Sequence, residues 1–309
     1  MRNSGILMIV SLCGIAAYMI SVLYSPLDAL FLALIFGIFV GTFFDESYKR
    51  SIERYLSVIL PIGITMYGTN IKLNLCVATK YASVATFSAF ILGITVYLIG
   101  KKIFKLNDKL SALISCGSAI CGASAIAIVS PLVKPKKEEF SAAIIVITIV
   151  GLTSAIVLPF LYHLLSIPLN TYAVLCGATL HQTALVEIAT KPLGDDVMKW
   201  ALEVKGVRIA LIAVVAFIMS VVYSKHRYHV PWYIAAFLIV SYFSSFVFTD
   251  EILRFLRPIS TIAFSITLAS VGFSVNVKDI QNMRIEPLIA AYTGWICAFL
   301  IIFAIMVIL

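Results

Sequence analysis

Residues 110–133 read LSALISCGSAICGASAIAIVSPLV, and residues 171–190 read TYAVLCGATLHQTALVEIAT. Each is long and apolar enough to lie within a bilayer, whose hydrocarbon core takes about 20 apolar residues of helix. Yet both are dense in Gly, Ser, Thr and Cys where lipid favours Leu, Ile and Phe. Small residues have two uses inside a membrane. They let helices pack closely, or they let a helix break and present its backbone groups to a protein-lined cavity. The fold turns on which use applies.

The rest of the chain reads as plain membrane helix. Of 309 residues, 61% are apolar and 12% charged, whereas soluble domains carry about 25% charged and roughly 45–50% apolar residues. Apolar runs recur at roughly 6–23, 27–44, 55–71, 81–100, 110–133, 140–165, 171–190, 206–223, 231–248, 258–276 and 287–309. This predicts an all-α polytopic protein with about 10–11 hydrophobic segments. Residues 1–309 form a single transmembrane domain, with no soluble domain and no linker. The first run follows Arg2 like a signal peptide, but no small-residue cleavage site follows, so it reads as a retained first helix. The longest charged connection lies at 191–205, with Asp195, Asp196, Lys199 and Glu203.

A net charge of +8 fits Lys and Arg gathered in cytoplasmic loops and shows no aromatic-interleaved basic block of the kind that binds nucleic acid. None of the six cysteines, Cys13, Cys76, Cys116, Cys121, Cys176 and Cys297, forms a CxxC or zinc-ligand spacing. No metal, cofactor or disulfide is expected. Cys76 falls in a short connection, as do His226 and His229, which read as solvated.

The two unusual runs echo each other. CGSAICGASAIAIVS (116–130) aligns over CGATLHQTALVEIAT (176–190) with Cys, Gly and a later Ile in register. A weaker echo links 67–73 with 272–278. Such internal similarity is what the inverted repeats of transporters leave behind. Charge adds to this. If every run crosses once, Lys134, Lys136 and Lys137 fall on the outer side. If 110–133 enters and returns on one side, they join Lys101, Lys102, Lys105 and Lys109 in the cytoplasm, as the positive-inside rule favours. Treating 171–190 likewise, but opening outward, makes the two segments inverted mates, and leaves Lys191 and Lys199 outside against the rule. Fully crossing broken helices are the alternative.

A break at Gly117 or Gly122 would turn half-helix N-termini toward a cavity, where free N–H groups and the positive dipole end suit an anion. Cys121, Ala123 and the hydroxyls of Ser118 and Ser124 would line it. Gly177, Thr179, His181 and Gln182 form the second candidate element, because buried polar groups in a membrane are expensive. His181 either carries a coupling proton, bonds a substrate, or satisfies itself on a nearby carbonyl. Glu187 either carries a proton, pairs with Lys205 or Arg208, or lies near the membrane surface. Lys205 and Arg208, three apart on one helix face at the start of a run, attract an anion, anchor the span end, or both. Asn70, Ser265, Thr267, Ser270, Ser274 and Asn276 form polar stripes that line the path or join helices.

GSAICGASAIAIVSP (117–131), followed by Lys134 and Glu138-Glu139, resembles the signature of the YeiH-type family of bacterial membrane proteins, to which sulfate export is attributed. The likeness continues through 177–181, Lys205 with Arg208, and 272–279, and covers most of the chain. The chain departs from that pattern in having Gln182 where an acidic residue follows the His, and Leu185 where a Gln is expected. The resemblance implies an architecture related to bile-acid symporters and sodium/proton antiporters, with inverted repeats, broken helices and a core bundle moving against a scaffold. It also implies a multi-pass protein of the bacterial inner membrane, homodimeric by family analogy. The expected function is a secondary active transporter that exports a small anion, sulfate or a related sulfur compound, by alternating access, coupled to protons or sodium. The alternatives are an anion-selective channel and a transporter of another small organic solute. No ATP-binding loop, nucleophile elbow or HExxH is present, so neither ATP drive nor enzymatic activity is expected.

Overall fold

The computed structural model describes residues 2–24, 29–70, 81–223, 232–275 and 284–308. Among them there are helices and no strand: α1 (Arg2–Leu23), α2 (Ala29–Gly41), α3 (Glu46–Tyr67), α4 (Ala82–Leu98), α5 (Asp108–Ala119), α6 (Ala123–Val133), α7 (Lys137–Leu164), α8 (Leu169–Thr179), α9 (Thr183–Thr190), α10 (Asp195–Ala210), α11 (Ile212–Tyr223), α12 (Trp232–Phe246), α13 (Asp250–Phe273) and α14 (Glu286–Ile308). Among the described residues, six stretches are long and apolar enough to cross a membrane: Gly5–Leu23, Ala82–Ile103, Lys137–Leu164, Asp195–Tyr223, Asp250–Phe273 and Glu286–Ile308. Their outer faces carry large apolar side chains open to the surroundings, such as Ile94, Ile156, Phe160 and Leu300, as a lipid-facing surface requires. The protein is an all-α, multi-pass membrane protein.

The helices cluster into two compact units. One comprises Met1–Leu73, Lys136–Ala142 and Ser224–Met283, the other Asn74–Pro135, Ala143–Tyr223 and Arg284–Leu309. In the first, α2 crosses α13 with backbones in contact. A Cβ on Gly37 would strike the carbonyl of Ala269, and one on Gly272 that of Leu34. Small residues here serve close packing, the first of the two uses. Of the expected echo at 67–73 and 272–278, the ends 71–73 and 276–278 lie outside the described residues, as do Cys76, His226, His229 and Asn276.

In the second unit both unusual runs break and fold back. The run 110–133 divides into α5 and α6 at Ile120–Gly122, and Gly122 sits at φ +72°, a left-handed conformation that only glycine takes readily. The Nζ of Lys109, at the start of α5, donates to the carbonyl of Lys134, just past α6, at 2.5 Å. Both ends of the run therefore lie together, and the segment is re-entrant. Gly117 is not a break. It lies inside α5, where a Cβ would press on Ile126 of the returning α6. The run 171–190 repeats the device. It breaks at Leu180–Gln182, and Tyr172, one turn into α8, donates through its hydroxyl to Ala189 near the end of α9 at 2.8 Å. The hairpins are joined by α7, a helix of 28 residues, about 42 Å long. One crossing separates their bases, so they enter from opposite sides, the inverted arrangement expected for the two runs. The first base gathers Lys101, Lys102, Lys105, Lys109 and Lys134, the side that the positive-inside rule assigns to the cytoplasm.

The stretch 191–205 is not a connection. Apart from a short turn at Lys191–Leu193 it is helix α10, which continues into α11 as one span, Asp195–Tyr223. Its polar sequence has a reason at each end: Asp195 and Asp196 complement the helix N-terminus, and Lys205 and Arg208 have partners inside the protein. At the lysine-rich end, Asp108 accepts from Lys101, from Tyr97 at 2.9 Å and from Tyr223 at 2.5 Å. It thereby ties α4, the first hairpin and α11 together. Lys101, and then Tyr223, hold the Asp108 carboxyl below its usual range.

Two outcomes follow. In single-cysteine variants, impermeant thiol reagents label positions 105 and 134 from the cytoplasmic face only and position 199 from the opposite face only; labelling of 105 and 134 from opposite faces would mean that 110–133 crosses fully. A depressed carboxyl stabilises the fold above its unfolded-state pKa and loses that effect as pH falls through its native value. Asp108→Asn therefore lowers the melting temperature at pH 7, and the gap to the parent protein closes toward pH 3.

Candidate functional site

The tips of the two hairpins meet. An α-helix leaves its last carbonyls without intrahelical partners and carries roughly half a negative charge at that end. The breaks place two such ends, of α5 and α8, inside the second unit. Both are met by cations from α10. Lys205 Nζ donates to the carbonyls of Ile120, Leu180 and His181, each at 2.7 Å. Arg208 donates through Nε to Ala119 at 3.0 Å, through Nη1 to Gly177 at 3.3 Å and Leu180 at 2.9 Å, and through Nη2 to Ser118 at 2.6 Å. Both side chains are fully buried. Lys205 has spent all three of its donors and Arg208 four of its five.

Close approach makes this possible. Gly177 faces α10 so tightly that a Cβ would strike the carbonyl of Ala201. Across the tips, a Cβ on Gly122 would lie 3.0 Å from Cγ of Gln182. Helix α7 backs both, with Ile147 against Gly117 and Gly122 and Gly151 against Leu185 and His181.

The same breaks create two helix N-termini. The first N–H groups of α6 (Ala123, Ser124, Ala125) and of α9 (Thr183, Ala184, Leu185) precede the first intrahelical donors, Ile126 and Val186. Beside them lie polar atoms with no hydrogen-bond partner among the described residues: both ring nitrogens of His181, Oε1 of Gln182 and Oγ of Ser118. His181 and Ser118 are fully buried and Gln182 nearly so. The amide of Gln182 reaches Thr148 only at 3.5 Å. Two positive dipole ends offset two negative ones, which leaves the two formal charges of Lys205 and Arg208. Among the described residues neither is paired with a carboxylate. The junction is thus electropositive, rich in donors and withdrawn from water, conditions that strengthen its electrostatics.

Residues 4–291 match the family model described as Conserved hypothetical protein 698. The chain belongs to that family. Within the Conserved hypothetical protein 698 match lies every residue of the junction. Similar proteins include a UPF0324 membrane protein of Archaeoglobus fulgidus, 46% identical over 297 residues, which are 95% of this chain and 90% of that one. A UPF0324 membrane protein of Listeria monocytogenes is 30% identical over 283 residues, 87% of this chain and 84% of the other. One of Bartonella henselae is 28% identical over 277 residues, 86% and 79% of the two chains. No solved structure matches.

For this member of the Conserved hypothetical protein 698 family, the structure brings together Gly117, Ser118, Cys121, Gly122, Ala123, Ser124, Gly177, His181 and Gln182 with Lys205 and Arg208. Ser124 turns its hydroxyl back to the Cys121 carbonyl at 3.2 Å, and Thr179 bonds Leu175 of its own helix at 2.7 Å. Glu187 pairs with neither cation; it lies exposed on α9, beyond the tip. Lys205 and Arg208 do not anchor a span end, because they sit mid-way along Asp195–Tyr223. His181 bonds no nearby carbonyl through its ring. Asn70, Ser265, Thr267 and Ser270 belong to the other unit. There Asn70 donates to Ser260 at 2.7 Å, while Thr267 and Ser270 bond carbonyls of their own helix at 2.9 and 2.8 Å. Ser265 Oγ has no partner. The sequence reading missed Ser260, which collects Thr69 and Asn70, and Thr148, both unremarkable hydroxyls in apolar runs.

Truncating a cation that serves several buried carbonyls leaves them unsatisfied, at roughly 1–3 kcal/mol each. Lys205→Met is expected to destabilise the protein by about 3 kcal/mol or more, read as a lower unfolding midpoint in detergent. Glu187→Gln is expected to leave the midpoint nearly unchanged.

Proposed function

We propose that the chain is a secondary active transporter of a small anion, which binds where the two hairpin tips meet and is moved by alternating access. The observation that carries this reading is the junction itself: two buried, carboxylate-free cations beside unpartnered donors of Ser118 and His181 and beside two helix N-termini. Helix N-termini and oriented backbone N–H groups are a general solution for binding anions. Opposed re-entrant segments meeting in mid-membrane supply the symmetry that alternating access uses. The YeiH-type resemblance supports sulfate or a related sulfur compound as cargo, and with it the kinship to bile-acid symporters and sodium/proton antiporters and an exporting direction. In this reading the donors are the first N–H groups of α6 and α9 with Ser118, His181 and the amide of Gln182. Lys205 and Arg208 contribute charge at short range while their N–H groups hold the tips. The chain performs no covalent chemistry.

The test is a panel of small anions against the purified protein. A ligand that binds the folded state raises the melting temperature by mass action. Sulfate or a sulfonate raises it saturably, and His181→Ala weakens the apparent affinity about tenfold or more, the scale of a lost hydrogen bond to a charged group. In proteoliposomes the same anion exchanges without unitary currents. A response to neutral or cationic solutes alone would overturn the anion assignment, and unitary currents would make the protein a channel.

A further inference from the structure

Three backbone carbonyls, of Ile120, Leu180 and His181, converge on a single point that the Nζ of Lys205 occupies, each at 2.7 Å. Two of them belong to the break after α8 and one to the break after α5. Carbonyls at the C-terminal ends of broken helices, turned inward at mid-membrane, are the ligand set with which transporters commonly coordinate an alkali cation. They carry partial negative charge from both helices, and the Lys205 side chain that they hold is fully buried. Here the cation is covalently attached. It arrives from α10, whose backbone is brought close by Gly177 against Ala201. Arg208, one turn further on, takes three more carbonyls of the same two helix ends, of Ser118, Ala119 and Gly177, and shares that of Leu180.

We propose that the ammonium group of Lys205 is a resident substitute for a coupling cation: it fills a monovalent-cation site built from both hairpin tips. Two consequences follow. The tips are held together permanently, with no dependence on external sodium or potassium. And removal of the side chain, without filling its space, opens a vacant cation site of three carbonyls. Ammonium and potassium are similar in size, so these two fit the vacated cage better than sodium. The first consequence, as it bears on cargo, rests on the anion-transport reading; the second does not.

The experiment compares full-length wild-type protein with Lys205→Ala and Lys205→Met. Melting temperatures are recorded in choline, sodium, potassium, ammonium and ethylammonium chlorides at matched ionic strength. Wild type melts at the same temperature in all five, and its response to sulfate is the same in choline as in sodium. Lys205→Ala melts lower in choline and recovers saturably, by about 3 °C or more, in potassium, ammonium or ethylammonium. Lys205→Met, whose side chain fills the space, does not recover. A saturable rise of wild type with sodium or potassium, or a Lys205→Ala protein that folds and ignores every cation, would overturn the proposal. If Lys205→Ala yields no folded protein in choline, its recovery on purification in potassium or ethylammonium decides the same question, and failure in all of them counts against the proposal. Absence of any sulfate response in wild type would instead bear on the transport reading, leaving the rescue of Lys205→Ala to be read by itself.

Discussion

Seven hydrogen bonds from two side chains hold the centre of the second unit. A helix that stops inside a membrane exposes carbonyls that lipid cannot satisfy. Two such helices, ending face to face, would repel each other through their dipoles. Lys205 and Arg208 resolve both problems at once, by supplying donors and positive charge where two C-termini converge. The glycines follow from this. Gly122 permits the reversal, and Gly177 lets α10 come near enough for the cations to reach.

The clamp has a chemical corollary. The carbonyl ends are neutralised from one helix, while Ser118 Oγ, both ring nitrogens of His181 and Oε1 of Gln182 have no partner among the described residues. Polar groups buried without partners are uncommon in folded proteins, and where they persist they point to a ligand or a functional role. The junction therefore divides its polar groups into a satisfied half, which is structural, and an unsatisfied half, which is available.

Much of this was legible in the sequence. Apolar runs separated by short connections specify a polytopic helical protein, and small residues at 115–124 and 176–183 mark the two segments that break. The lysines at 134–137 point to a re-entrant first hairpin, because only that topology keeps them with Lys101, Lys102, Lys105 and Lys109. The role of Lys205 and Arg208 was not legible. A basic pair followed by an apolar run looks the same whether it anchors a span in headgroups or lies in mid-membrane. What separates the cases is a set of carbonyls 24 to 90 residues away in sequence, and backbone atoms carry no residue-type signal. For the same reason 191–205 read as a connection: its charges are those of a loop, and their partners are not local. Glu187 misled for the opposite reason, since an acidic residue near two basic ones suggests a pair that the geometry does not form.

Hydrogen exchange on the purified protein, with and without Arg208→Met, tests the clamp most directly. If one side chain joins both hairpins, its loss lowers amide protection at 115–126 and at 176–186 together, while α4 and α14 keep theirs. Loss of protection in one hairpin alone, or in neither, would contradict a shared clamp at the tips.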